Sequence, residues 1–408
     1  MNEPQPTTTT PPAPPPPVLP NPLHALHTAV DAEFQPYESL EIVSTFGEPQ
    51  AEYAALHKSC GLMDLAHRGV LELTGRDRLQ FLNNLLTNQT WSKETKAGIA
   101  AGTGVYAFIL NTNGRVLADM NVIERGDRTF LETDARLIDM LRQTLDRYLF
   151  SEQVKLQDRV GALHELALHG PTAPAVIEAA TGIPIPGLLQ IGSTDVTLFD
   201  TPVTLWRDDV CGVPGLHLLM PADRIAHVWQ TLVDRFGQLV SHARRPLRPV
   251  GWAAFNAVRI EAGRPLFGID FDATILPAET GIETFARAVN VFKGCYVGQE
   301  IVARMYARKQ SAKSLVGLRL AGEALPIAGS PVFDDAGNQV GGITSSTVSP
   351  LQSRSAICFA LVKKPFAVDG KMIQAPAEGS LRPATVSLSL RFLAKPVDLE
   401  KETAPDGG

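Results

Sequence analysis

Two stretches of mixed strand and helix pattern, followed by a stretch of strands alone, limit the folds open to this chain of 408 residues. The apolar runs VYAFIL (105–110) and VLADMNVI (116–123) flank NTNGR, whose Asn-Gly pair predicts a tight hairpin turn. TFLETD follows as a third strand after the turn RGDR, and residues 135–148 carry apolar side chains at helical spacing. This part of the chain therefore predicts an α+β domain built on a β-meander.

The same mixture of strands and helices returns in a second segment of similar character. After Lys313 the pattern changes to short apolar strands separated by Gly, Pro and Asp-Asp turns, which predicts a small all-β barrel or sandwich. The first 22 residues hold ten prolines and predict a disordered tail. The predicted segments are a Pro-rich tail (1–36), a first α+β domain (37–160, completed by about 245–312), a second α+β domain (161–244), a C-terminal β-barrel (313–396) and a frayed end (397–408).

Composition excludes several classes of protein. A formal net charge of −6 and a pI of about 5.9 give no sign of nucleic-acid binding, and we expect none. No apolar run approaches the roughly 18 residues of a membrane span, so we expect no membrane partner. Four cysteines lie far apart without a C-x-x-C pair, which predicts a reducing, cytoplasmic location and no metal centre.

The octet KGCYVGQE, residues Lys293 to Glu300, is the strongest candidate for chemistry. Its two glycines allow a tight turn, and QEIVARMYARK after it predicts a helix. A thiol just before a helix, with Lys293 nearby, is expected to ionise more readily, as a nucleophile, redox sensor or metal ligand requires. The alternative is that Cys295 is a small buried residue at a structural turn.

The predicted helix after the octet carries two arginines, Arg304 and Arg308, one turn apart. Together they are able to bind a carboxylate tail or a phosphate. The alternative is an exposed basic face without a ligand.

KGCYVGQEIVAR resembles the signature K-G-C-[FY]-x-G-Q-E of the YgfZ folate-binding proteins, whose mitochondrial relatives act in iron–sulfur cluster assembly. Three further stretches resemble the wider glycine-cleavage T-protein superfamily. They are CGLMDLAHRGVLELTGRDRLQFLNNLLTN, GVYAFILNTNGRVLADMNVI and RIEAGRPLFGIDFD, so that the resemblance extends from about residue 48 to about residue 361.

The resemblance implies a three-domain cloverleaf in which two α+β domains and a C-terminal β-barrel surround a central cavity for tetrahydrofolate. It also implies that the turn presents the Cys295 thiol toward this cavity, with Lys293 holding it ionised, as the reactive pair. The implied partners are folate and iron–sulfur client or assembly proteins. The implied folate contacts are Asp119, Glu261, Arg304, Tyr296, Gln299 and Glu300.

Two departures from the T-protein pattern bear on activity. The acid pair D-D after the N-G turn is Ala118-Asp119 here, and the stretch CGVPGLHLL (211–219) lacks the acid of the family's T-G-E-x-G turn. A carboxylate is the natural partner of the amino-pyrimidinone edge of folate, so these losses argue against aminomethyl transfer. We therefore predict a tetrahydrofolate-binding protein that supports assembly or repair of iron–sulfur clusters. The alternatives are a folate-dependent aminomethyl or one-carbon transferase, which has a possible link to tRNA modification, and a non-enzymatic scaffold.

Overall fold

The computed structural model describes residues 21–237, 246–308 and 311–393. The described chain begins with a short helix, a hairpin and a second helix, which are α1 (His24–Thr28), β1 (Glu33–Tyr37), β2 (Leu40–Thr45) and α2 (Pro49–Lys58). The prediction of a disordered tail is wrong for residues 21–36. Leu23 and His27 are fully buried, and the His27 imidazole lies 2.9 Å from the Asp64 carboxylate, which fixes the segment. The rest of the predicted tail, and the predicted frayed end, lie outside the described residues.

The predicted β-meander is confirmed as three consecutive antiparallel strands of a five-stranded sheet. The elements of this region are β3 (Gly61–Asp64), β4 (Arg68–Thr74), α3 (Arg78–Asn83), β5 (Trp91–Ser92), β6 (Ala97–Gly98), β7 (Gly104–Leu110), β8 (Val116–Glu124), β9 (Arg128–Asp134), α4 (Ile138–Asp146) and β10 (Lys155–Asp158). The sheet has the order β10-β4-β9-β8-β7. Apolar side chains of α3 and α4 pack on one of its faces.

A second, six-stranded sheet takes the order β12-β13-β14-β11-β3-β15. Its new elements are β11 (Leu163–His169), α5 (Ala173–Thr181), β12 (Ser193–Leu198), β13 (Thr201–Arg207), β14 (Gly215–Pro221), α6 (Ile225–Phe236) and β15 (Arg248–Pro249). Strand β3 precedes every strand of the first sheet, yet it pairs with β11 in the second. The chain therefore crosses between the two sheets before residue 160.

The face of the first sheet opposite α3 and α4 packs against the face of the second sheet opposite α5 and α6. Phe130 and Ile123 of the first sheet lie in one buried cluster with Trp206 and Leu219 of the second. Because neighbouring residues of a strand point to opposite faces, every second side chain of β8 enters this layer between the sheets. The site described below lies at the edge of this layer.

The third part of the chain is a closed six-stranded barrel, as predicted. Helices α7 (Trp252–Glu261), α8 (Ile282–Ala288) and α9 (Gln299–Arg308) precede it, and its strands are β16 (Lys313–Leu320), β17 (Pro331–Phe333), β18 (Gln339–Ser349), β19 (Ser355–Lys363), β20 (Met372–Ala377) and β21 (Ser380–Ser387). The predicted fold class, two α+β units with a C-terminal β-barrel, is confirmed. Among the described residues, helices are too short or too polar to cross a bilayer.

Candidate functional site

A cavity of about 700 Å³ lies where the two sheets meet the residues around the barrel. Its size is within the range of small-molecule sites. The lining residues are Asn88, Gly104, Val105, Tyr106, Gln190, Ile191, Arg207, Asp208, Asp209, Gly212, Val213, Pro214, Arg264, Arg287 and Arg391. A second cavity, of about 690 Å³, opens at another edge of the layer beside Phe130 and Thr204. We assign the site to the first cavity, because residues from all three parts of the fold converge there.

Tyr106 connects the cavity to Asp119. The two residues lie on the adjacent strands β7 and β8, and the Tyr106 hydroxyl donates a 2.8 Å hydrogen bond to Asp119 Oδ2. Asp119 is only 8% exposed, and this burial raises the pKa of its carboxyl group despite the opposing effect of Arg68. Asp119 therefore contacts the cavity through a tyrosine that the sequence did not single out, and its role in the site stays a prediction.

The missing acid at position 118 has a structural explanation. Ala118 packs with Met120 in the core beneath α3 and α4, whereas Asp119 points to the opposite face of β8. An acid at position 118 would lie in that apolar core, so its absence removes no carboxylate from the cavity. The argument against aminomethyl transfer from this position is therefore wrong.

Two carboxylates that the sequence analysis overlooked line the cavity, Asp208 and Asp209. They lie just before the glycine-containing turn of CGVPGLHLL (211–219), the stretch that lacks the family's acid. The sequence signal for an acid in this region is therefore the run Arg207-Asp208-Asp209. Asp208 is buried and pairs with Arg264, and despite its burial the two guanidinium groups of Arg264 and Arg287 hold its pKa below the ordinary value. The cavity therefore contains an ionised acceptor, Asp208, suited to an amino group of a ligand.

Arg287 lies over the face of the Tyr106 ring. Its guanidinium carbon is 3.7 Å from the centre of the Tyr106 ring, a cation–π contact. The Asn88 side chain fixes this arrangement, because its Nδ2 donates to the backbone carbonyls of Tyr106 (2.9 Å) and Arg287 (3.0 Å). Arg287 therefore lies on the face of the same aromatic side chain whose hydroxyl contacts Asp119.

Lys293 of the octet points into the protein and is only 6% exposed. Its ammonium donates to the backbone carbonyls of Asn83 (2.6 Å), Leu86 and Asn88 (3.2 Å), at the end of α3. Burial lowers the pKa of Lys293 to about 7. These contacts give Lys293 a positioning role on the loop that carries Asn88.

Cys295 is exposed, whereas the other three cysteines are buried and burial raises the pKa of their thiols. The adjoining Phe292 is 93% exposed. The octet therefore presents its thiol on an outer surface, which differs from the expected position facing the cavity. The reason is that Lys293 and Tyr296 take the inward positions of the turn, where the ammonium lies 4.8 Å from the tyrosine ring.

The remaining predicted contacts are distributed elsewhere. Arg304 and Glu300 are exposed on α9, and Gln299 at its start is partly buried. Glu261 is fully buried at the end of α7, where its carboxylate accepts hydrogen bonds from Tyr53 (2.7 Å) and Ser349 and lies 3.0 Å from a nitrogen of His57. These contacts join α2 and α7 to the barrel, which is a structural position rather than that of a pterin ligand.

The chain matches two family models, the GCVT N-terminal domain over residues 23–290 and the glycine cleavage T-protein C-terminal barrel domain over residues 313–392. It belongs to the glycine cleavage T-protein family. The superfamily resemblance seen in the sequence is thereby confirmed, and membership of the YgfZ branch stays a prediction.

Curated relatives are similar over almost their whole length. An aminomethyltransferase of Synechococcus sp. (strain RCC307) is 29% identical over 370 residues, which cover 90% of this chain and 97% of the relative. An aminomethyltransferase of Chloroherpeton thalassium is 25% identical over 378 residues, which cover 92% of this chain and 98% of the relative. The crystal structure of aminomethyltransferase T from Bartonella henselae superposes with a TM-score of 0.79 at 22% identity, covering 92% of this chain and 98% of that one. This last similarity establishes the fold.

Proposed function

We propose that this protein is a tetrahydrofolate-dependent one-carbon transferase that works in the cavity at the junction of its three parts. The aminomethyltransferase family uses tetrahydrofolate as substrate or cofactor. The observation that carries the proposal is the buried Asp119–Tyr106 pair beside a cavity of suitable size. Because the core face of β8 explains the alanine at position 118, this objection to transferase activity no longer applies.

The residues of the cavity fit a folate. Asp208 and Asp209 supply carboxylate acceptors for the donor groups of an amino-pyrimidinone ring. Asp119, whose pKa is raised by burial, holds or releases a proton next to the Tyr106 hydroxyl. Tetrahydrofolate would supply the nitrogen that receives the one-carbon unit. Cavity residues would bind and orient the reactants and exclude water.

The first test replaces Asp119 by Asn in the purified full-length protein. The donors are an aminomethyl group on a lipoyl carrier protein and the free N-methylated amino acid N,N,N-trimethylglycine, and mass spectrometry detects methylene- or methyl-tetrahydrofolate. We expect wild type to turn over at least one donor, and Asp119→Asn to lose about 100-fold or more in rate, the usual range for a proton-transferring side chain.

The matched measurement is the dissociation constant for 5-formyltetrahydrofolate, which we expect Asp119→Asn to change by less than about threefold, since one neutral-for-charged replacement leaves the other contacts in place. Full activity of the variant would remove Asp119 from the mechanism. A wild-type protein that binds no folate would overturn the proposal as a whole.

A second function is favoured by one observation, the exposed thiol of Cys295 within the YgfZ-like octet. We propose that this surface supports assembly or repair of iron–sulfur clusters, with client or assembly proteins as partners. The four free thiols suit the reducing cytoplasm that this role requires. An outward thiol suits a macromolecular partner better than a ligand enclosed in the cavity.

The test measures the activity of a [4Fe–4S] enzyme under oxidative stress in cells that lack the gene. We expect wild type to restore activity and Cys295→Ala to fail, whereas Cys358→Ala, at a buried thiol, serves as the matched control. Equal rescue by Cys295→Ala would reject the thiol mechanism. A different result would support the transferase with a role in tRNA modification. In that case the modified nucleosides of tRNA are altered in the deletion cells, and wild type restores them whereas Asp119→Asn does not.

A further inference from the structure

The cavity is cationic within a chain whose net charge is −6. Four guanidinium groups line it and face two carboxylates, Asp208 and Asp209, which leaves two formal positive charges uncompensated. Uncompensated charge at a partly buried position is costly unless a ligand of opposite charge completes it. The charge balance of the lining therefore indicates an anionic group on the ligand.

Among the described residues, Arg287 and Arg391 form no ion pair shorter than 4.0 Å, whereas the other two arginines of the lining do. Arg207 forms a two-point pair with Asp209, at 3.0 and 2.7 Å, and Arg264 is hydrogen-bonded to Asp208. Arg287 Nη1 is 4.0 Å from the same Asp208 oxygen that Arg264 already uses. Among the residues that the structure describes, the buried Nε and Nη1 of Arg287 find no hydrogen-bond partner. Each of these nitrogens carries a proton that it can donate to an oxygen of an anionic group.

The location of Arg287 identifies which carboxylate fits. The guanidinium stacks on the ring of Tyr106, whose hydroxyl contacts Asp119, so the anion site lies beside the proposed proton-carrying group. Folate carries its carboxylates on the glutamate, at the opposite end of the molecule from the pterin ring. A carboxylate beside Asp119 therefore fits the second reactant better than it fits the folate.

Charge complementarity narrows the class of this reactant further. The Asp119 carboxyl at the Tyr106 hydroxyl and the weakly paired Arg287 guanidinium on the face of the Tyr106 ring match a small molecule that has a cationic nitrogen and a carboxylate only a few bonds apart. We propose, on the basis of the function proposed above, that Arg287 assisted by Arg264 binds the carboxylate of a free, zwitterionic one-carbon donor of the N-methylated amino acid type.

The experiment compares two probes that differ only in the anionic group, N,N,N-trimethylglycine and choline. Each is titrated calorimetrically into the full-length protein saturated with 5-formyltetrahydrofolate. We expect trimethylglycine to bind wild type and Arg287→Gln to weaken it about tenfold or more, as for loss of a charge-assisted hydrogen bond. Choline is expected to bind weakly to both proteins.

Two further variants separate the site from general effects. Arg287→Lys keeps the charge but loses the planar guanidinium and its several donors, and it is expected to recover only part of the affinity. Arg128→Gln, at an arginine that lines the other cavity, is the matched control and is expected to bind trimethylglycine as wild type does. Retained binding of 5-formyltetrahydrofolate shows that each variant is folded.

Each contrary result has a distinct meaning. If Arg287→Gln weakens 5-formyltetrahydrofolate but not its glutamate-free counterpart 5-formyltetrahydropteroate, the site holds the folate tail and the donor assignment is overturned. If wild type binds folate but neither probe, or if Arg287→Gln changes nothing, the carboxylate site is overturned while the transferase proposal survives. If wild type binds no folate, the transferase proposal itself fails.

Discussion

At the scale of single residues, Lys293 shows how a conspicuous motif residue acts at a distance from the chemistry. Its ammonium holds the backbone of Asn83, Leu86 and Asn88, and the Asn88 side chain in turn holds the backbones of Tyr106 and Arg287. Lys293 therefore reaches the cavity through Asn88. We expect its replacement to loosen the cavity wall rather than to remove a reacting group.

The buried amine also predicts a dependence of stability on pH. Because burial lowers the pKa of Lys293 to about 7, the unfolded chain binds one more proton than the folded chain between pH 7 and about pH 10. The free energy of unfolding of wild type should therefore rise with pH across this window, relative to Lys293→Met. The expected relative gain from pH 7 to pH 9 is up to about 2 kcal/mol.

Urea unfolding of both proteins at several pH values measures this difference. If the free energies of unfolding of wild type and Lys293→Met differed by a constant amount from pH 6 to pH 9, the predicted pH dependence would be wrong.

Sequence reasoning reached some of these residues and missed others for an identifiable reason. Asp119 was reached through the resemblance to the T-protein pattern, which has an acid pair in the strand after an Asn-Gly turn. Arg264, Arg287 and Arg391 occupy three separate segments, and only the packing of the whole chain brings them to one cavity. The inward direction of Lys293 also depends on carbonyl groups some 200 residues earlier in the chain.

At the scale of elements, the octet is seated on the hairpin turn between β7 and β8. Gly298 has a φ of +79°, and a Cβ at this position would lie 2.8 Å from the Asn111 carbonyl oxygen and 3.0 Å from the Cα of Gly114. Only glycine satisfies both the left-handed backbone and this close approach. The second glycine of the octet therefore fixes the position of α9 against the first sheet.

The two glycines of the octet provide a matched pair of variants. Gly298→Ala should destabilise the protein by about 1–3 kcal/mol, because it combines a disfavoured backbone conformation with contacts to rigid backbone atoms. Gly294→Ala should have little effect, since its Cβ would meet only the flexible Lys93 side chain, at 3.8 Å. Thermal unfolding of both variants measures the contrast, and equal melting temperatures would refute this packing argument.

At the scale of the whole molecule, local patterns predict the kind of each unit but not how the chain divides between them. The meander and the barrel follow from turn residues and alternation. The sequence of strand β3 does not indicate that it pairs in the second sheet, because GLMD is buried along its whole length and fits either sheet. The partner of such a strand is decided by long-range packing.

Arg391, which lines the cavity, follows the last barrel strand and packs against Gly263 just beyond α7. On the ribosome, Gly104 and Tyr106 emerge long before this residue, so the cavity wall is incomplete until the barrel has been synthesised and has docked. A ligand that recognises the closed cavity thus cannot stabilise a nascent or truncated chain. It stabilises the finished protein by RT ln(1 + [L]/Kd). The concentration of ligand in the cell would then influence what fraction of the newly made chains escapes proteolysis.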